Sequence, residues 1–198
     1  MKKYELTSET KVINGVELHR IKALNSFGNI KEGDLGGWIE SEKNLSQDGD
    51  AWVFDNAKVR GNATVSGTSM VSGNASVSGD AYVGGNSYVG GNSCIGWNSC
   101  VCENAIVCDN ATVSENAMVY GDAKVRRKED YIVFKNWWSS GRYFTWTRSN
   151  NKWKVGCFYG SGEELIAKAY KDSEKSGREY ERVVRYVESI LEEENNNK

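Results

Sequence analysis

The sequence predicts a mainly β chain: a β-solenoid rod with a β-hairpin before it and a small α+β module after it. Three observations carry that prediction. An aliphatic residue stands at every sixth position from Val53 to Val125, thirteen times without a miss, and a period of six is a solenoid signature that fits neither a helix nor an ordinary sheet. Two residues before each aliphatic comes Ala or Ser, from Ala51 to Ala123. The positions between are filled by turn formers such as Gly-Asn, Asp-Asn, Glu-Asn and Gly-Asp.

The first unit is placed at residues 1–38. Asn14-Gly15, flanked by Val12-Ile13 and Val16, is the strongest short-range hairpin signal. Residues 25–38 are glycine-rich and read as an irregular cap. The rod spans residues 39–128. Ile39 and Leu45 fall in phase with the small-residue series at Ala51, so the first coil is expected near residue 39, with bulkier residues closing the core. Within each hexad the aliphatic residue and the small one two before it share a face and point inward, and the residue between them points outward. Three hexads make one coil of 18 residues, so outward residues 18 apart stack. One face carries Trp52, Met70, Tyr88 and Ile106, the second Thr64, Tyr82, Cys100 and Met118, and the third Lys58, Ser76, Cys94 and Thr112.

The last unit is placed at residues 129–198. Tyr131–Lys135, Tyr143–Arg148 and Lys152–Tyr159 read as three strands, the last two joined by Ser149-Asn150-Asn151. Ser161-Gly162-Glu163-Glu164 is a capping box opening a helix with Leu165, Ile166, Ala169 and Tyr170 inward. Ser176-Gly177-Arg178-Glu179 repeats the device before a second helix with an apolar stripe of Tyr180, Val183, Val184, Val187 and Leu191.

Repeats such as Val65-Ser66-Gly67-Thr68-Ser69-Met70 and Val71-Ser72-Gly73-Asn74-Ala75-Ser76 resemble the hexapeptide repeat of left-handed parallel β-helix proteins. That resemblance covers residues 39–126 and implies a left-handed coil, against the usual right-handed crossover, and frequent assembly as trimers. The lead-in Gly33-Asp34-Leu35-Gly36-Gly37-Trp38-Ile39-Glu40 with Asn44-Leu45-Ser46 looks like a narrower subgroup, bacterial and phage β-solenoid proteins of no established activity. It makes a phage-encoded inhibitor of a host factor one expectation.

Many hexapeptide-repeat proteins are acyltransferases, which typically use a His base, and a few are zinc carbonic anhydrases, which need three His on the metal. This chain has one His, His19, in the N-terminal hairpin and off the coils. A carbonic anhydrase is excluded, and an acyltransferase is left as a degenerate alternative that needs His19 to reach a neighbour's cleft. No catalytic residue, metal site or cofactor is expected. Cys94 and Cys100 are expected to point from different faces, with Cys102 and Cys108 near corners, too dispersed to converge on a metal. Cys157 reads as a buried strand residue. Five cysteines without a CxxC pair point to reduced thiols in a cytoplasm, the host's if the protein is phage-encoded. No apolar run approaches the roughly 20 residues that cross a bilayer, so no membrane partner is expected.

Two surfaces remain as sites. The outward apolar residues Trp52, Met70, Tyr88, Ile106, Tyr82 and Met118 suggest a packing surface, for another subunit in a homo-oligomer or for the C-terminal module folded back. Residues 124–160 carry nine basic and two acidic groups in a chain of net charge −2, a partner clue. Arg142, Arg148, Lys152 and Lys154 alternate there with Trp137, Trp138 and Trp146. By alternation Phe144, Trp146 and Arg148 share one face of a strand and Tyr143, Thr145 and Thr147 the other. Cations beside exposed aromatics suit an anionic ligand, a nucleotide or nucleic acid, or a protein that handles nucleic acid. The same aromatics also suit the core of a small sheet with the cations merely flanking it. The leading expectation is a non-enzymatic binding protein, with an oligomerisation protein using the rod's apolar face as the alternative.

Overall fold

The computed structural model describes residues 2–197. Strands β1 (Tyr4–Ile13) and β2 (Val16–Ala23) form the expected hairpin, with Ile13 opposite Val16. Its two turn residues, Asn14 and Gly15, have φ of 52° and 78°, the left-handed pair that a type I′ turn requires. Strand β3 (Leu35–Ile39) emerges from the stretch that composition marks as irregular. Gly36 and Gly37 are buried in it, with the Trp52 indole and Val53 carbonyl too close for a Cβ at Gly36, and the Ala57 carbonyl and Val53 side chain too close at Gly37.

From there the rod follows the hexads. Thirteen two-residue strands, β4 (Trp52–Val53) through β16 (Lys124–Val125), recur every six residues. Each of the first ten pairs in parallel with the strand 18 residues on, as Tyr88 does with Ile106 and Cys100 with Met118. The three faces are therefore three parallel sheets, and the hairpin extends one of them through β3, which pairs with Lys58–Val59. Every aliphatic of the series is at most 1% exposed, each contributing ~1.5–3 kcal/mol of burial. The inward serines add a second bond. Ser87 Oγ donates to Gly84 O at 2.8 Å, and Ser93 Oγ to Gly90 O at 2.8 Å, which satisfies a hydroxyl that would otherwise be buried alone.

The first coil departs from the expected phase. Ile39 pairs with Val59 and Leu45 with Val65, so both occupy the aliphatic register and not the small-residue one. The spacing from Leu45 to Val53 is eight residues, and the two extra residues are absorbed in the turn around Gln47–Asp50. A 3₁₀ turn, Glu42–Asn44, fills the inner space. Its fully buried Asn44 donates Nδ2 to Gly61 O at 3.0 Å and to Ala63 O at 2.8 Å, doing with a side chain what a regular coil does with backbone N–H groups.

The far end is closed in the complementary way. In the coils each outward residue donates its N–H to a carbonyl of the next coil, as Tyr88 N does to Ala105 O at 2.9 Å. The last coil has no successor. Thr145 Oγ1 accepts from Met118 N at 2.8 Å, Ser149 Oγ from Lys124 N at 2.7 Å, and Asp130 Oδ2 from Arg126 N at 2.7 Å. Tyr131 OH donates to Thr112 O at 3.0 Å. Side-chain oxygens of the following module thus replace a missing coil's carbonyls and cover an edge that would otherwise template further pairing.

That module is an antiparallel sheet, β17 (Tyr131–Lys135), β18 (Tyr143–Thr147), β19 (Lys152–Val155) and β20 (Phe158–Gly160), covered by α1 (Gly162–Asp172) and α2 (Glu174–Asn196). The third strand read from sequence is two, because Gly156, with φ of 55°, turns the chain back. Cys157 lies exposed in that turn and not buried in a strand. Ser161 caps α1, accepting from Glu164 N, as the capping box predicts. Tyr170, expected inward, is 36% exposed. The second helix starts three residues earlier than its sequence signal. Ser173 is the cap, accepting from Ser176 N at 3.1 Å, and Gly177 sits inside the helix where the Tyr170 ring leaves no space for a Cβ.

Candidate anion-binding groove

β18 is buried on both faces, and this divides the basic aromatic segment. Phe144 and Trp146 face the helices at 0% and 1% exposure, with Trp153 at 2%. Thr145 and Thr147 lie on the other face at 0% and 3%, where Thr145 bonds the rod's last coil. Trp146 is therefore no stacking platform: its Nε1 donates to Asn151 Oδ1 at 2.8 Å within the module. Trp138 is likewise core, 8% exposed and edge-on to Phe144 and Tyr180. Of the three expected indoles, Trp137 alone is open, at 72%. The aromatics follow the flanked-core alternative, because a sheet this small finds its core only in large rings.

The cations scatter to separate places. Arg142 lines a cavity of about 340 Å³ with Asn136, Ser140, Lys168, Asp172 and Tyr180. There Asn136, 3% exposed, bonds Tyr180 OH at 2.9 Å through Nδ2 and accepts from Ser139 N at 2.9 Å. Lys154 sits over the Tyr120 ring, 4.1 Å from its centroid, turned toward the rod. Lys152 is half-buried, its backbone N–H donating to Asn150 Oδ1. Arg148 is clamped by Glu194 at 2.6 and 3.2 Å and donates Nε to Glu129 O at 3.0 Å.

The structure instead gathers a different set around Arg148. Lys124, Arg126, Arg127 and Arg148 surround a groove of about 480 Å³ with Asp130 and Ser149, at the seam between the rod's last coil and the module. Arg126 reaches Asp109 at 4.0 Å, a solvated pair worth ~0–1 kcal/mol, and Arg127 reaches Asp130 at 3.4 Å, where the arginine is exposed and the carboxylate mostly buried. Lys124 has no carboxylate within ion-pair reach among the described residues. Lys124, Arg126 and Arg127 belong to the basic stretch of the sequence, but nothing in it brings Arg148 beside them. The Ser149–Lys124 and Asp130–Arg126 bonds that close the rod do so.

The rod's outward residues also part company. Trp52 is 1% exposed, packed edge-on beneath Tyr4 and Phe27 of the N-terminal unit, so it is sealed within the chain and unavailable to another copy. Met118 is half-buried at the seam where β18 packs on its strand, which fits the module folded back. Met70 and Tyr82 stay open at 41% and 42%, while Tyr88 and Ile106 are half-exposed. Tyr82 and Tyr88 lie flat over Gly84 and Gly90, and their hydroxyls meet Ser66 Oγ and Ser72 Oγ at 2.8 Å.

His19 is half-buried on β2, its Nδ1 3.4 Å from Thr7 O, with no nucleophile or carboxylate beside it in that contact. Among the described residues no group of three or more His, Cys, Asp or Glu comes together as a metal site. The cysteines are less dispersed than alternation around corners suggests. Cys100 Sγ lies 2.6 Å from Cys102 Sγ, because residues two apart share a strand face. Either thiol can donate in this contact, which raises the Cys100 thiol's pKa and lowers that of Cys102, with burial acting upward on both. No helix of the described residues is long and apolar enough to cross a membrane.

Six-residue repeats, three parallel sheets and a small-plus-aliphatic core together give the rod the fold of the left-handed β-helix, hexapeptide-repeat superfamily. No family model matches the chain. Among curated proteins it is similar to "Uncharacterized acetyltransferase YdcK" of Escherichia coli (strain K12), 31% identical over 67 residues. The match takes in 30% of this chain and 21% of that protein, so the likeness spans about a fifth of the relative's length.

Proposed function

We propose that this protein is a non-enzymatic binding protein whose β-helix holds the basic groove of Lys124, Arg126, Arg127 and Arg148 toward an anionic partner. The supporting observation is that groove: four cations face one space, with Asp130 the single carboxylate in its lining. A polyphosphate or nucleic-acid backbone suits it better than a lone carboxylate, since separated cations track successive phosphates. A host nucleic-acid-handling protein with an acidic surface is the protein-partner form of the same reading. Binding of a labelled single-stranded oligonucleotide, followed by fluorescence anisotropy, tests it. With Arg148 held by Glu194, three phosphates neutralised by Lys124, Arg126 and Arg127 give a log–log salt slope of about −2, and Arg126→Glu with Arg127→Glu abolishes binding. Arg142→Glu, in a separate cavity, leaves binding unchanged. Salt-independent binding, or a double variant that binds like the parent, overturns the proposal.

A second reading rests on the relative's printed name, an acetyltransferase. A degenerate acyltransferase places its chemistry between copies of the rod, with His19 as the one imidazole on offer. Thioester hydrolysis of acetyl-CoA that is lost in His19→Ala favours it over the binding protein.

A further inference from the structure

Each hexad turns through one corner residue with positive φ, and thirteen of these run from Gly49 to Gly121. Twelve are Gly, Asp or Glu, the types that either tolerate this conformation or stay solvated in it. The remaining one is Trp97, with φ of 55° and its side chain 71% exposed. A bulky aromatic in the left-handed region is a genuine outlier, and this one is buried against nothing that repays it. Such strain, held in place by the surrounding coils, points to use of the side chain.

The surroundings define the use. Beside the indole a groove of about 440 Å³ is lined by Ser78, Asp80, Asn98, Ser114 and Arg60, within the size range of small-ligand sites. Its floor is open at Gly96, where an added Cβ would meet only Ser78 Oγ at 3.8 Å. A second groove of about 430 Å³ is lined by Trp97, Ser114, Glu115, Asn116 and Tyr143. Trp97 thus borders both grooves, set among hydroxyls and amides. Charge excludes the anion assigned to the basic groove: Arg60 is matched by Asp80 in one groove, and Glu115 lines the other. An uncharged ring with an apolar face and a polar rim fits this lining, the face on the indole and the rim on serine, asparagine and carboxylate oxygens.

We propose that Trp97 and its flanking grooves form a binding site for a neutral saccharide, whose pyranose ring stacks on the indole. This goes beyond the anionic partner and uses a different surface. Titration with neutral glucan and N-acetylglucosamine oligosaccharides, followed by isothermal calorimetry and tryptophan fluorescence, tests it. Binding by the parent protein to at least one of these, weakened tenfold or more in Trp97→Gly, is the expected result. Glycine is the usual residue of this corner, so the variant keeps the fold, and its melting temperature is equal or higher. Oligonucleotide binding stays the same in Trp97→Gly, which separates this test from that of the basic groove. The proposal is overturned if no oligosaccharide binds the parent or if Trp97→Gly binds as well. It is equally overturned if the substitution lowers the particle mass in light scattering without any effect of saccharide, since the indole then serves contact between copies.

Discussion

Replacing Trp52 by alanine separates two roles for the rod's most prominent outward residue. The indole is 1% exposed, with Tyr4 and Phe27 edge-on at 6.1 and 5.4 Å, and Gly36 lies against it without a side chain of its own. Truncating a fully buried Trp removes ~3–5 kcal/mol, including the cavity left behind. The two ring contacts account for ~0.5–1.5 kcal/mol each of specific geometry. Because solenoid coils contact only their neighbours, that loss stays local. Hydrogen exchange followed by mass spectrometry is the assay. In Trp52→Ala, amides of β1, β2, β3 and the first coil exchange ~100-fold faster or more, the equivalent of ~3 kcal/mol. Amides from Ser76 to Val125 keep the parent's protection. Uniform acceleration along the whole rod would refute nearest-neighbour stability. Unchanged exchange at the hairpin, with a fall in particle mass instead, would show that Trp52 meets a second copy and not its own cap.

Two further outcomes follow from the structure. Lys3, 6% exposed, donates Nζ to Gly49 O and Ala51 O at 3.1 and 3.0 Å, and burial lowers its pKa from 10.5 to about 8, with Asp50 and Asp48 opposing. Between those values the unfolded chain binds more protons than the folded one, so stability rises with pH, by about 3 kcal/mol at most, and the penalty is at its fullest below pH 8. The melting temperature of the parent should therefore gain on that of Lys3→Met from pH 7 to pH 10, and a constant gap would contradict the assignment. Cys100 and Cys102, whose sulfurs touch, should close a disulfide with diamide, two thiols yielding two protons and two electrons to the diazene, which becomes the hydrazine. Intact mass then falls by two hydrogens in the parent and not in Cys102→Ser. Full alkylation of both thiols after oxidant would refute it.

The rod was legible because its signal is redundant. Thirteen repeats specify the same inward pair, and residues 18 apart can stack in one way only, so the three sheets follow from the period. The slip at Ile39 and Leu45 left no such trace. Either inward position accepts an aliphatic residue, and a two-residue insertion in a turn does not disturb hydrophobicity. Thr145 shows a second limit. Alternation places Thr145 only on the face opposite Phe144 and Trp146 and does not say what covers it, yet it is buried, its oxygen taken by an amide of the rod's last coil. That pairing links residues 27 apart in different units, and no local pattern encodes it. The basic groove was hidden for the same reason, since Arg148 joins Lys124 only through the seam. Trp97 was different: its signal stood in the corner series as the single aromatic member, and a list of turn formers conceals it.

The two closures give the protein a quantised length. Asn44 offers amide hydrogens to the coil above it, and Thr145, Ser149 and Asp130 offer oxygens to the coil below. Every coil between presents the same backbone row to its neighbours, so excising any 18 consecutive residues between 72 and 107 brings like against like and leaves both seals intact. Each such excision shortens the separation between the hairpin and the module by one coil, about 4.8 Å, without turning one relative to the other. Gene duplication or deletion in units of 54 nucleotides is thus a ruler adjustment for this chain, whereas any other indel in that stretch must be looped out at a corner or misalign the two ends.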